Sequence, residues 1–479
     1  MAEPSPGTEA LHLLEEFPAV PTEAWEAAIQ KDLKGADYEK RLVWRSEAGI
    51  PVRPYYRKQD TAGLSAQADT VPGEFPFVRG SGKAWQSEQE SHPRAEAIRA
   101  DFLHEAGANA VQELGYALAQ GVEQLSAMAD RAGSVDEAAR EIDFVFAAGS
   151  TFFFEIAKLR AARLLWAQAV SAFQPKHEAS CRMHIHVRTS RLNKSVYDRY
   201  SNLLRATTEA LSAVIGGCDG LTVDPFCFDE HLAESLQRIL REEVHVDVPA
   251  DPGGGSYYLE VLTDSLAKEA WKLFQQVEAE GGYSKALASG SIAKEVAKSR
   301  AEREKAVALR RRAMVGVNNY PNLTEKSPAE EPPAAGQSPF PAFRLAEPFE
   351  KIRERTERHA KATGRTPRVL LLKRGDLKMR MARANFSLNF FGCAGFEIED
   401  GEDYAGRNAD LIVLCSSDPE YLALAQEVCA NVSVPVVVAG NPKDQIEALQ
   451  AAGVQGFIHI QSDAVQTLTD WQNRVGMKE

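Results

Sequence analysis

Two histidines, His184 and His186, stand two residues apart in the strand-like stretch RMHIHV. Side chains at i and i+2 of a strand point to one side, so both imidazoles could reach a single metal ion. No third ligand follows at a suitable spacing, and a polar interior pair is the expectation. The triplet Gly253 to Gly255 could turn backbone N–H groups toward a phosphate, but GxGxxG spacing is absent and a structural turn is expected. Six cysteines include no CxxC pair and none at zinc-ligand spacing from a histidine pair, which points to reduced, structural thiols. Four charged residues, Glu155, Lys158, Arg160 and Arg163, interrupt the densest apolar stretch, Gly149 to Phe173. At 100° per residue they point in several directions, so some must find partners in the interior or against a ligand. Glu155 and Lys158 are placed to pair at i,i+3.

These residues must be positioned by more than one domain, since 479 residues with 44% apolar content suffice for two or three. The net charge of -13 argues against nucleic acid or an anionic membrane as the main partner. The N-terminus lacks the basic start and apolar run of a signal peptide, and no stretch reaches about 18 uninterrupted apolar residues. A cytoplasmic protein is expected.

Residues 1–80 read as an arm: a helix at Thr22 to Leu33 closed by Gly35, then Pro- and aromatic-rich stretches suited to lying over another surface. Between Ser81 and Leu323, strands are expected before Glu105 (AIRADFL), at Ile142 to Ala148, at Arg182 to Val187 and at Gly220 to Val223, with a helical tail from Thr263. A closed (β/α) barrel needs eight strands and about 250 residues, so about half of the strands are missing. Residues 324–346 are rich in Pro, Ala and Glu and read as a linker. A charged helix, Glu347 to Ala362, follows. From Pro367 short apolar runs alternate with helical stretches: RVLLL, LIVLC, VPVVVAG and GFIHI, the pattern of buried parallel strands in a flavodoxin-like domain at 347–479. The stretch Arg300 to Arg312 reads as a solvated helix face, with a subunit contact as the sharper alternative.

Six stretches, KDLKGADYEKRLVW, EAGANAVQELGYALAQG, FFFEIAKLRAARLLWA, YDRYSNLLRATTEALSAVIGG, DPGGGSYYLEVLTDSLAKEAW and VGVNNYPN, resemble, in order, segments of the methylmalonyl-CoA mutase family. Its members rearrange acyl-CoA carbon skeletons with adenosylcobalamin. The last stretch, the linker and the C-terminal block resemble the small, non-catalytic chains of two-chain members. The resemblance implies a truncated TIM-type β/α barrel at 81–323, lacking strand–helix units between FPFVRG and the strand before Glu105. It also implies a cobalamin-binding-type domain at the C-terminus, and an N-terminal arm that wraps a partner.

Where the family performs chemistry, this chain departs from it. Active members carry Gly-Tyr-His before Ile-Arg-Glu-Ala-Gly-Ala, the His donating to the thioester carbonyl; here Phe102 holds that position. His104, two residues on, could share a strand face with Phe102 as a shifted donor. His186 matches a family pocket histidine, and Arg188 stands where a Gln amide would meet substrate, although Arg cannot accept a hydrogen bond. Leu221 to Pro225 (LTVDP) replaces Leu-His-Thr-Asn-Ala. The cobalt-binding Asp-x-His-x-x-Gly is reduced to Gly375, Asp376 and Lys378, and there is no His from Pro367 to Gln455. A protonated Lys has no lone pair to offer a metal. The expectation is a small, non-catalytic subunit of an adenosylcobalamin-dependent methylmalonyl-CoA mutase that supports a catalytic large subunit, which would hold the cofactor. Two other readings stay open: a self-sufficient or specialised acyl-CoA mutase, and a module that binds an acyl-CoA or another small ligand.

Overall fold

The computed structural model describes residues 17, 20–64, 67, 69–81, 85–87, 93–94, 96–325, 330 and 338–477. The chain forms two compact units, Met1–Tyr56 and Arg57–Glu479.

In the first unit the helix Thr22–Asp32 ends one residue before the expected Leu33 and buries none of its residues. A two-stranded antiparallel hairpin, β1 (Trp44–Arg45) and β2 (Pro51–Val52), follows. Trp25 and Tyr55 meet with ring centroids 5.4 Å apart. Among the described residues of this unit, Ser46, Ile50 and Val52 are the buried ones. So small a core cannot offset the ordering of the chain by apolar burial alone.

The second unit contains two five-stranded parallel sheets. The first comprises β3 (Gln86–Ser87), β4 (Ile98–Arg99), β5 (Asp143–Ala148), β6 (His184–Thr189) and β7 (Gly220–Thr222). Their spatial order is β3-β7-β6-β5-β4, so the earliest strand lies beside the last. Every residue of β5 is buried, as expected for a parallel strand covered on both faces. Helix Phe152–Ala172 follows it, and Trp166 meets Phe144 at 4.9 Å. Gly121 permits this packing, because a Cβ there would lie 2.8 Å from the Phe144 ring.

All four charges of the Phe152–Ala172 helix are buried. Arg160 pairs with Asp251 and with Glu260 (2.7 Å). Arg163 donates to Met183 O (2.6 Å) and pairs with Asp219 (2.8 Å). The expected i,i+3 pair forms between Lys158 and Glu155 at 2.6 Å.

Two strand expectations need correction here. AIRADFL is strand only at Ile98–Arg99; Ala100–Glu105 is helical. Ala, Leu and Glu favour helix, and the run lacks a β-branched residue after Ile98. Gln86–Ser87 is a further strand that its polar residues do not announce. The Arg300–Arg312 segment is not a simple solvated face either. Arg303 is buried, Arg300 lies 3.9 Å over the Phe343 ring and Arg310 lies 5.4 Å over Phe386.

The second sheet comprises β8 (Arg368–Lys373), β9 (Glu397–Gly401), β10 (Leu411–Cys415), β11 (Val436–Ala439) and β12 (Gly456–Ile458), in the order β12-β11-β10-β8-β9. This is flavodoxin-like topology. Alternate residues supply two cores: Val369, Leu371 and Val413 on one face, Leu370, Leu372 and Ile412 on the other. β9 is an edge strand whose Glu397 and Asp400 pair with Arg368 and Lys373, which explains why no apolar run announces it.

Helix Glu347–Thr363 packs through Phe349 and Ile352 into the same core as Leu192, Met314 and Val317. The expected linker lies partly outside the described residues. From Phe340 it is packed: Phe343 N–H bonds Glu105 O (3.1 Å) and Leu345 N–H bonds Leu192 O (2.8 Å). No helix among the described residues is long and apolar enough to cross a membrane.

Candidate functional site

In parallel α/β folds the chemistry sits at the carboxyl ends of the strands. At that end of the first sheet, Phe102 is half-buried with the Arg99 guanidinium 4.0 Å from its ring centre. Arg99 is itself fixed to Asp101 (2.8 Å). His104 does not share a strand face with Phe102. Both lie on the Ala100–Glu105 helix, where i and i+2 point apart.

His104 is buried, its Nδ1 2.7 Å from Glu113 Oε1. Lys158 Nζ donates to the other Glu113 oxygen (2.8 Å) and to Ala147 O (2.7 Å), and it pairs with Glu155. Gly149 closes the cluster, since a Cβ there would lie 2.8 Å from the His104 ring and 3.1 Å from Glu155. Desolvation is the largest influence on Lys158 and lowers its pKa, yet Glu113 and Glu155 outweigh it and hold the ammonium above its ordinary value. Burial likewise raises Glu113, and Lys158 with His104 more than reverses it. The charges are engaged with one another, so the cluster offers neither a free base nor a nucleophile.

His186 is buried with Nε2 2.7 Å from Thr222 Oγ1, over Gly220, where any Cβ would strike the ring. His184 faces Asp143 at 3.2 Å. The two histidines thus serve different partners, and no group of three or more His, Cys, Asp or Glu among the described residues is arranged for a metal. Arg188 lies 3.8 Å from Asp224, which also takes Arg191 (2.7 Å). The glycine triplet is a turn over ion pairs: Gly255 N–H donates to Glu260 (3.0 Å), and a Cβ at Gly254 would strike Arg79.

His184 has a pKa above its ordinary value, chiefly through its close contact with the Asp143 carboxylate and then the charge of Asp219. Its stabilising contribution is therefore complete below its unfolded value near pH 6.5 and is lost as pH rises through the raised folded value. The ring is 43% exposed, so solvent limits the effect to about 1 kcal/mol. Urea midpoints measured across this window should fall in the native chain and stay flatter in His184→Gln.

The second sheet reverses its strand order between β8 and β10, which is where such folds place a ligand. Gly375 adopts φ +80° at the turn leaving β8. Asp376 caps the following helix, Leu377–Gly392, accepting from Met379 N–H (2.8 Å). Lys378 is exposed. The crevice is filled from within by Glu420, whose carboxylate accepts from Asp376 N–H (3.1 Å), Ser416 Oγ (2.8 Å) and Ser417 N–H (3.2 Å). Hydrogen bonds from Ser417, Ser416 and Asp376 hold its pKa down to about 2. A Cβ at Gly375 would collide with this carboxylate.

Deeper in, the fully buried Tyr421 donates to Ala439 O (2.6 Å), and the Arg383 guanidinium lies about 3.5 Å from where a Gly440 Cβ would stand. The residues present do not fit a cobalamin. Asp376 is committed to a helix cap, Lys378 is a cation, and Glu420, Tyr421 and Arg383 occupy the space beside the turns. Sequence reasoning passed over these three and Glu113. Only Glu420 carries a local signal, as the last residue of the capping box Ser417 to Glu420.

The sequence model of the family described as methylmalonyl-CoA mutase matches residues 82–362. This chain belongs to that family. Over 618 aligned positions it is 33% identical to the methylmalonyl-CoA mutase small subunit of Porphyromonas gingivalis, covering 97% of this chain and 99% of that protein. It is 36% identical to the small subunit of Streptomyces virginiae over 81% of this chain and 66% of that one. A methylmalonyl-CoA mutase of Cereibacter sphaeroides is 42% identical over 49% of this chain and 34% of its own length. In the first alignment, 618 positions against 479 residues leave at least 139 with no counterpart in this mutase-family chain.

Proposed function

We propose that this chain is the small, supporting subunit of an adenosylcobalamin-dependent methylmalonyl-CoA mutase, working in the cytoplasm beside a catalytic large subunit that interconverts methylmalonyl-CoA and succinyl-CoA. The observation that carries the reading is that the relative matched along 99% of its length is named a small subunit. The geometry supports it. Phe102 and Lys378 stand at the positions where active members place their two working histidines, and the surrounding charges are engaged with one another. The cofactor therefore belongs to the partner chain.

We read the first sheet, a five-stranded parallel sheet with its first strand beside its last, as an eight-stranded barrel lacking three strands between β3 and β4, a reading that this order supports. The unmatched positions, at least 139, exceed the roughly 90 residues that three strand–helix units of about 30 residues each would need. On this reading the domains are the arm at 1–80, a truncated barrel at 81–323, the connecting stretch at 324–346 and the flavodoxin-like domain at 347–479. The arm is an interface element, consistent with a Thr22–Asp32 helix that buries nothing.

The test is co-expression with the catalytic mutase chain of the same source. A stable hetero-oligomer that turns over methylmalonyl-CoA, with no turnover by this chain alone, is expected. Turnover by the lone chain, or no complex in size-exclusion and light-scattering runs, overturns the proposal.

A further inference from the structure

Helix Glu347–Thr363 carries two stripes at helical spacing. Phe349, Ile352 and Thr356 face the flavodoxin-like domain. The first two share a core with Val369, Leu371 and Trp471, and Gln472 donates to Thr356 Oγ1 (2.8 Å) and to Ile352 O (2.6 Å). Glu350, Arg353 and Glu357 form the other stripe and meet the loop 190–199 that leaves β6. A single oxygen of the buried Glu350, Oε1, accepts from Ser195 Oγ (2.9 Å), Val196 N–H (2.9 Å) and the Arg344 guanidinium (2.8 Å). One turn further on, the Arg353 guanidinium lies 4.4 Å over the Tyr197 ring, and the Tyr197 hydroxyl donates to Glu357 (3.2 Å).

The same loop is bound to the first sheet and its helices. Asn202 accepts from Ser195 N–H (3.2 Å) and donates to Ser195 O (2.7 Å), while the fully buried Lys194 pairs with Glu209 at 2.6 Å. Asn202 and Glu209 both belong to helix Tyr200–Ile215. Arg191, near the start of the loop, holds Asp224 just beyond β7 (2.7 Å). Apolar contact also joins the two parts, with Leu192, Met314 and Val317 against Phe349 and Ile352. Such contact is non-directional and tolerates sliding. A buried carboxylate oxygen shared by three donors tolerates little, because a shift leaves charged and polar groups unpaired in the interior.

We propose that Glu350 is a latch that fixes the loop after β6 against helix Glu347–Thr363, so that the first sheet and the flavodoxin-like domain open together rather than as separate parts. Both lie within the unit Arg57–Glu479. The stretch 324–346 that joins them, rich in Pro, Ala and Glu, would otherwise leave them free to open independently. The latch also ties the position of Arg191, and through it Asp224, to the flavodoxin-like domain. It needs no partner chain and stands apart from the subunit reading.

The test is native-state hydrogen exchange of the full chain in low urea, read peptide by peptide. In the native chain, amides of β5 and β10 should exchange through openings of the same size and the same urea dependence. In Glu350→Ala the two should part, with β10 exchanging at least about tenfold faster than β5 and with a shallower urea dependence. Ser195→Ala combined with Tyr197→Phe loosens the loop side without touching the helix. This variant should separate the two sheets in the same direction, which keeps the test decisive if Glu350→Ala does not fold. Lys351→Ala, at an exposed position of the same helix, should leave both sheets as they were. Sheets that already open separately in the native chain overturn the latch. So does an equal acceleration of both sheets in the folded variants, which would make Glu350 an ordinary stabilising residue, and so does no change in either.

Discussion

Replacing Lys158 with methionine is expected to destabilise the protein by about 3–5 kcal/mol, the range for removing one partner of a buried ionic group. Lys158 is fully buried and sits between Glu113 and Glu155, 2.8 and 2.6 Å from their oxygens. Without the ammonium, two carboxylates remain in the interior with His104 as their nearest compensation. Met nearly matches the aliphatic part of Lys in volume, so the loss reports charge rather than a cavity. The triple variant Lys158→Met, Glu113→Gln, Glu155→Gln should recover much of the deficit, because it removes the stranded charges together with their partner.

The pH dependence has a definite sign. In the native chain Glu113 has a lowered pKa, so its contribution is present above its unfolded value and is lost as pH falls through the folded one. In Lys158→Met the stranded carboxylates gain from protonation, so its deficit relative to the native chain should shrink as the solution is acidified. Urea denaturation at several pH values measures both effects. A loss below about 1 kcal/mol, or one unaffected by acid, would show that the network is not a charge-compensated unit.

Elements with a strong local pattern were legible in the sequence. LIVLC is β10 over Leu411–Cys415 as read, and the charged run from Glu347 is a helix that ends at Thr363, one residue beyond the expected Ala362. The interior charges of Phe152–Ala172 were also readable, because four of them in one apolar stretch cannot all face water. The failures came where tertiary context decides. Gln86–Ser87 and Glu397–Gly401 are strands by virtue of the neighbours they pair with, and polar edge strands have no apolar period to detect. AIRADFL lost its strand character at Ala100, which moved His104 off the face assigned to it.

Positions 102, 188 and 378 could be singled out from the sequence only because a residue type there departs from the pattern that the resemblance implies. The candidate site was not legible at Glu113, which meets Lys158 across 45 residues, or at Arg383, which meets Gly440. No local spacing encodes such encounters; the order of the strands creates them.

The same distinction sets the outcome expected for cobalamin. Lys378→His restores Asp-x-His at 376–378 and, judged by motif alone, should restore a nitrogen ligand to cobalt. It is expected to restore no binding. The turn at Gly375 is held against Glu420, whose carboxylate is already satisfied by Asp376 N–H, Ser416 and Ser417. Asp376 caps Met379 N–H and would have to release it before it could orient an imidazole. Tyr421 and Arg383 fill the space beside the Gly440 turn. Hydroxocobalamin added to the native chain and to Lys378→His should leave its absorption spectrum unchanged and pass through gel filtration separately from either protein. The combination Lys378→His, Glu420→Ala, Arg383→Ala removes two of the three fillers along with the missing ligand, and it is the variant in which any histidine-nitrogen spectrum should first emerge. Stoichiometric uptake by Lys378→His alone would mean that the crevice opens freely and that a single side chain, rather than the packing around it, keeps the cofactor out.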